Sequence, residues 1–239
     1  FLQPLMEPSP EHPDAPRLQL EVRRFGEVGA EVVPGTSYDY SNPGYNTLGA
    51  LVEIASGQSL EAFLDERIYT PLGMDDSYNH EVEEKLEGKL QRMGAVYYRK
   101  VEEEWIPGWE PGDPPQYPFV RASGGMISTA RDYAVFCQMF LNGGVYDGVR
   151  ILREETVERM TRDTYLAGGE LDPERGVRVG YGYGWRVAED GTFSHTGSDG
   201  TGAWVDPKHQ LIVLVFTQNP RGRNPRGKFL ELVRSAIVE

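Results

Sequence analysis

A single cysteine, Cys137, in 239 residues leaves the chain without an internal disulfide, so its fold rests on packing and hydrogen bonding. Long apolar runs are missing too. None approaches the length a helix needs to cross a bilayer, and no membrane-spanning segment is expected. Basic residues are scarce: 24 Lys and Arg against 37 Asp and Glu give a formal charge of −13, which excludes the basic stripe that a nucleic acid backbone requires. His12, His80, His195 and His209 lack metal-ligand spacing, so neither a zinc site nor any other cofactor is expected. What the chain does have is 39% apolar residues, with 13 Tyr, 9 Phe and 4 Trp, enough to build a sizeable core and to argue against disorder.

Pro4, Pro8, Pro10, Pro13 and Pro16 make residues 1–33 an irregular N-terminal segment, with a short strand expected over 18–23. Residues 34–180 read as a mainly helical region. Leu48, Leu51, Val52 and Ala55 recur at helical spacing over 45–56, and Gly57 supplies the stop. Ser59 then caps a helix that presents Leu60, Phe63, Leu64 and Ile68 on one face. Residues 81–120, with a charged start, Trp105, Trp109 and five prolines, read as a long connection. Thr129 and Asp132 resemble a capping box that opens a helix with Tyr133, Phe136, Cys137, Phe140 and Leu141 inward and Gly143 at its end. Cys137 on that face reads as a buried structural thiol. A further helix is expected over 154–162.

Residues 181–239 change period from 3.6 to 2. Tyr181, Tyr183, Trp185 and Val187 alternate with small or polar residues as one strand would, and strands are expected at 192–195, 202–205 and 211–217. A closing helix should turn Phe229, Leu230, Val233 and Ile237 inward. Helices, antiparallel strands and one covering helix give an α+β fold, with residues 34–239 as one catalytic-type domain.

Two short motifs carry chemistry. Tyr40 and Asn42 stand two residues apart in a turn before a helix, where both side chains can point into one cleft. A phenol of pKa about 10 becomes a base near neutrality only beside positive charge, and an amide can orient a substrate amide or an ammonium. The same pair would also serve as a buried Tyr at a helix start with Asn42 as its N-cap. At the end of a predicted strand, His195, Thr196 and Gly197 lie near Gly200 and Gly202, where a substrate backbone can approach the strand edge. His195 can offer a proton or a positive charge, or be only a strand-end residue.

The run Tyr40-Ser41-Asn42-Pro43-Gly44-Tyr45 with Leu48-Gly49, then Pro71-Leu72-Gly73-Met74, then residues 123–132, and then His195-Thr196-Gly197 with Asp206-Pro207 and Asn219, resembles the β-lactamase-related serine hydrolases: penicillin-binding proteins, serine β-lactamases, related esterases and D-peptidases. The resemblance implies an acyl-enzyme mechanism on an amide or ester of a small-molecule or peptide-like substrate. It implies Tyr40 as general base or proton relay and Asn42 as orienting amide. It makes His195, Thr196 and Gly197 the strand wall that docks the acyl group. One element is missing, because no serine in the chain has Lys three residues later and there is no Gly-x-Ser-x-Gly elbow. The resemblance places the nucleophile segment before Phe1, so the chain alone is expected to be inactive. The alternative is a non-catalytic relative that keeps the groove as a binding module. On the implied fold the apolar strand at 211–217 would lack a neighbour, and association through that edge or with the protein's own N-terminal fragment is expected.

Overall fold

Local signals over residues 45–68 favour helices, and the computed structural model forms them. Residues 17–30, 32–33, 36, 38–99, 104–115, 117, 119–162, 170–171, 178–219 and 225–237 are described here; the prolines expected to keep the N-terminus irregular lie outside them. The chain divides into two compact units, one made of residues up to Lys89 with Pro114–Thr129, the other of Leu90–Asp113 with Ala130 onward.

The first unit opens on α1 (Arg17–Val28), where a short strand was expected over 18–23. The helix wins because Leu18, Glu21 and Val22 fall one turn apart, with Leu18 and Glu21 buried and Val22 packed beside Leu18. It is followed by α2 (Asn42–Ser56), α3 (Leu60–Leu64), a π-helical turn at Asp65–Tyr69, α4 (Thr70–Leu72) and α5 (Glu83–Leu86). Both expected caps are present, Ser59 accepting from the Ala62 amide and Gly57 ending α2 in the left-handed region at φ 71°. Strand β1 (Tyr78–Asn79) pairs with β4 (Met126–Ile127).

Helix α2 buries a face other than the one its leucines mark. Leu48, Leu51 and Ile54 are more than half exposed, whereas Asn46, Gly49, Ala50 and Glu53 are buried. Close approach decides this. A Cβ on Gly49 would lie 2.8 Å from the Ala122 methyl, 3.1 Å from Leu60 and 3.2 Å from Leu18, so the small-residue face is where α1, α3 and the 120s segment converge. Leu18, Ala50 and Leu60 form the centre of that core, with Val52, Leu64, Phe119 and Val120 around it.

In the second unit the expected long connection contains a hairpin, β2 (Val96–Arg99) with β3 (Trp105–Trp109), followed by α6 (Ala130–Leu141), the small hairpin β5 (Val145–Tyr146) and β6 (Val149–Arg150), and α7 (Glu154–Met160). The main sheet is an antiparallel meander: β7 (Glu170–Leu171), β8 (Arg178–Tyr181), β9 (Arg186–Ala188), β10 (Phe193–Thr196), β11 (Gly202–Asp206) and β12 (Leu211–Val215), each beside the next. The single strand expected through 181–187 is thus two strands joined by a tight turn, closed where the Gly182 amide donates to the Trp185 carbonyl at 2.7 Å. Alternation ran across the turn because Trp185 packs inward from it, edge-on to Phe140 and Phe193 with ring centroids 5.3 and 5.2 Å away. Phe136 stacks on the same indole, so α6 covers this side of the sheet with aromatic rings. Cys137 on α6 is fully buried.

Helix α8 (Arg226–Ser235) lays Leu230 on Trp204 and Val213, with Val233 beside them. Phe229, expected inward, is 42% exposed, and Leu232 stands further out at 57%. Strand β12 is a terminal strand, paired with β11 on one side and with no described strand on the other.

The 182–185 turn tolerates no side chain at its first residue. A Cβ on Gly182 would fall onto the Met160 carbonyl oxygen and lie 2.9 Å from that of Arg162, both backbone atoms. Gly182→Ala should therefore destabilise the second unit by about 1–3 kcal/mol in chemical denaturation, with an unchanged value counting against this packing.

Candidate active site

Ser41, not Asn42, is the N-cap of α2. Its backbone is extended and its hydroxyl accepts from the Gly44 amide at 3.0 Å, with proline in the first turn. Asn42 is thereby the first residue of the helix and exposed, and Tyr40 lies just ahead of the cap, 53% exposed. Neither side chain is spent on core packing. The Tyr40 ring lies 6.3 Å from that of Tyr45, tilted by 41°. The partial cover it has, with the neighbouring Tyr45 phenol, pushes Tyr40 above the usual phenol range, further from acting as a base near neutrality.

What fixes α2 is a buried polar joint that sequence reading passed over. The Asn46 amide donates to the Glu21 carboxylate on α1 at 2.8 Å, and its oxygen accepts from the Ser123 amide at 3.0 Å. The same helix holds Glu53, which receives the Leu60 amide at 3.1 Å and the Gln19 side chain at 3.1 Å. Burial raises Glu21, while the Asn46 hydrogen bond and Arg121 pull the other way. Beside Ser123, the Arg121 guanidinium lies 3.8 Å over the Tyr117 ring and 3.7 Å from the buried Glu81 carboxylate. The signal was present as Asn46, Gly49, Ala50 and Glu53 at one-turn spacing, a stripe that a search for apolar residues discards.

His195 and Thr196 end β10 in the second unit, and Gly197 follows them. Ser194 is opposite Arg186, the first residue of β9, so His195 stands just beyond that strand, paired with Ala203 on the other side. Into the gap reaches Tyr181 of β8, whose hydroxyl lies 2.8 Å from His195 Nε2. His195 Nδ1 donates to the Thr196 carbonyl at 2.9 Å. Burial lowers the imidazole's pKa, the Thr196 carbonyl opposes the shift and the Arg186 charge adds to it, so the ring is neutral at neutral pH. Thr196 and Gly197 are exposed. The Gly197 amide donates to the Thr201 carbonyl at 3.0 Å, and the following loop is tied down by the Asn219 amide on the Asp199 carbonyl and the Thr217 hydroxyl on the Gly200 carbonyl. The loop after the strand is thus tied back to the sheet while Thr196 and Gly197 stay exposed. Tyr40 and Asn42 belong to one unit, and His195, Thr196 and Gly197 to the other.

The beta-lactamase family model matches residues 3–234. The chain belongs to the beta-lactamase family. Its relatives include an Escherichia coli K12 protein named "Putative D-alanyl-D-alanine carboxypeptidase", 27% identical over 215 residues that make up 80% of this chain and 47% of that protein. The octameric penicillin-binding protein homologue from Pyrococcus abyssi superposes with a TM-score of 0.72 at 26% identity, covering 91% of this chain and 48% of that one. The penicillin binding protein from Bacillus halodurans, 18% identical, shares the fold with a TM-score of 0.71 over 98% of this chain and 67% of its own. The resemblance read from the motifs and the α+β class both hold. This beta-lactamase-family chain spans about half the length of the curated relatives it matches.

A histidine whose folded pKa lies below its unfolded value of about 6.5 contributes stability that is full above that pH and is lost as pH falls through the folded value. Raised carboxyls such as Glu21 and Glu81 act in the opposite sense, their contribution being present at low pH and lost as pH rises. The His195 share is isolated by difference. Between pH 7 and pH 5 the wild-type chain should lose unfolding free energy relative to His195→Gln; parallel pH profiles for the two would show that the imidazole titrates normally.

Proposed function

We propose that the whole protein is a serine hydrolase that cleaves an amide or ester bond, of β-lactam, D-peptide or simple ester type, through an acyl-enzyme. The observation that carries this reading is the pairing of an exposed Tyr40 and Asn42 at a capped helix start in a chain of this family. In this reading a serine hydroxyl outside these 239 residues adds to the acyl carbon. Its proton passes to Tyr40 and from there to the departing amine or alcohol, leaving a serine ester that water hydrolyses. Asn42 orients the acyl amide or an activating ammonium, and β10 docks the acyl group along Thr196 and Gly197. Tyr40 needs a cation to become a base, since burial and Tyr45 drive it the other way. In this reading the cation is the Lys of a Ser-x-x-Lys motif that also carries the nucleophile.

The absence of any Ser-x-x-Lys in the chain favours a second reading, a non-catalytic relative that retains the groove for binding. A fluorophosphonate probe separates the two. The full-length gene product should be labelled stoichiometrically and the 239-residue chain not at all; an unlabelled full-length protein supports the binding module, and a labelled serine within residues 1–239 overturns both placements. In the labelled enzyme Tyr40→Phe should slow acylation by about 10² to 10⁴ with the fold intact, near-normal turnover assigning Tyr40 to structure.

The outer edge of β12 is the proposed site of association. Leu211-Ile212-Val213-Leu214-Val215 is uncharged, and an unpaired edge of that composition templates another strand. Helix α8, packed on β12 through Leu230, also leaves Phe229 and Leu232 exposed. Size-exclusion chromatography with intact mass should find the chain self-associated or carrying an N-terminal fragment of its own protein, and a homogeneous lone monomer would remove the proposal.

A further inference from the structure

The ring of His195 is held at both nitrogens, and its two partners agree on one position for the proton. A peptide carbonyl only accepts, so the 2.9 Å contact with the Thr196 oxygen requires a proton on Nδ1. In the neutral ring Nε2 is then an acceptor, and the Tyr181 hydroxyl at 2.8 Å is its donor. We infer that Tyr181 is a positioning residue for the docking strand: together with the Thr196 carbonyl it fixes His195 as the Nδ1-protonated tautomer and sets the plane of its ring.

The surroundings support this assignment from each neighbouring strand. The Tyr181 and His195 rings meet edge-on at 84° with centroids 6.0 Å apart, the geometry in which a phenol reaches an in-plane nitrogen lone pair. On β9 the Arg186 charge disfavours a second proton on the ring, and burial acts in the same direction. On the β11 side the partner is Ala203, which offers no side-chain hydrogen bond. The ring lies where β9 has already ended, beyond that strand's pairing with β10. Without the phenol, Nε2 would lose the donor that β8 supplies, and the preference for a proton on Nδ1 would rest on the Thr196 carbonyl alone.

For the hydrolase reading, on which only this consequence rests, His195 would meet a substrate as an oriented, uncharged group. Acyl portions without a carboxylate would then suit this wall at neutral pH.

The tautomer is measurable without turnover, so its failure and that of the hydrolase reading are distinguishable. Long-range ¹⁵N–¹H correlation spectra of the ¹⁵N-labelled 239-residue chain at pH 7 should show His195 with Nδ1 protonated and Nε2 bare. In Tyr181→Phe, checked as folded by its backbone amide spectrum, the Nε2-protonated form should rise above its wild-type share. A wild-type ring protonated at Nε2, or at both nitrogens, overturns the inference with no variant needed. A folded Tyr181→Phe chain with an unchanged tautomer overturns it as well, leaving the Thr196 carbonyl as sufficient.

Discussion

A buried amide must make its hydrogen bonds inside the protein, and Asn46 meets that requirement in a way that fixes the first unit. Its nitrogen takes the Glu21 carboxylate of α1 and its oxygen takes the Ser123 amide, so one side chain joins three stretches of chain separated by 25 and 77 residues. Losing one partner of such a set leaves a buried group unsatisfied, at a cost of about 1–3 kcal/mol. The approach distance follows from the same joint. With α1, α3 and the 120s segment drawn in, only Gly49 and Ala50 fit between them, and the leucines of α2 are left on the outside. The exposed pair Tyr40 and Asn42 inherits its orientation from this helix.

In the second unit the corresponding constraint is the turn between β8 and β9. Because Gly182 lets the backbone press against the carbonyls of α7 and the residues after it, Trp185 can swing under α6 and β9 starts late, at Arg186. The late start opens the position beside His195 that the Tyr181 hydroxyl occupies. A packing feature and a polar one thus have a common cause. The neutrality of the imidazole follows from the same burial, since a ring covered on several sides pays in hydration for any added charge.

Much of this was legible in the sequence where a signal is local. Ser59 and Gly57 marked helix ends by their own conformational needs, Cys137 marked an inward face, and the three strands from Phe193 to Val215 followed turn residues. The family was legible because its motifs lie in order along the chain, and the family match bears that out. Signals failed where tertiary contacts chose between equal local options. Leu18 and Leu20 alternate like a strand until Glu21 and Val22 are seen to pack. Phe229 has the periodicity of a buried residue but lies outside the seat that Trp204 and Val213 make for Leu230. Tyr181 was read as one alternating residue among several, because nothing in its neighbourhood along the chain points to a histidine fourteen residues away.

Cys137 has a practical meaning of its own. It is the sole thiol of the chain, fully covered by α6 and its neighbours, and burial pushes its pKa up to about 12. A thiol in that state is almost wholly protonated at neutral pH and out of reach of electrophiles. Modification by a small alkylating reagent would therefore clock the opening of the second unit around α6, giving a native reporter of local unfolding without any engineered label.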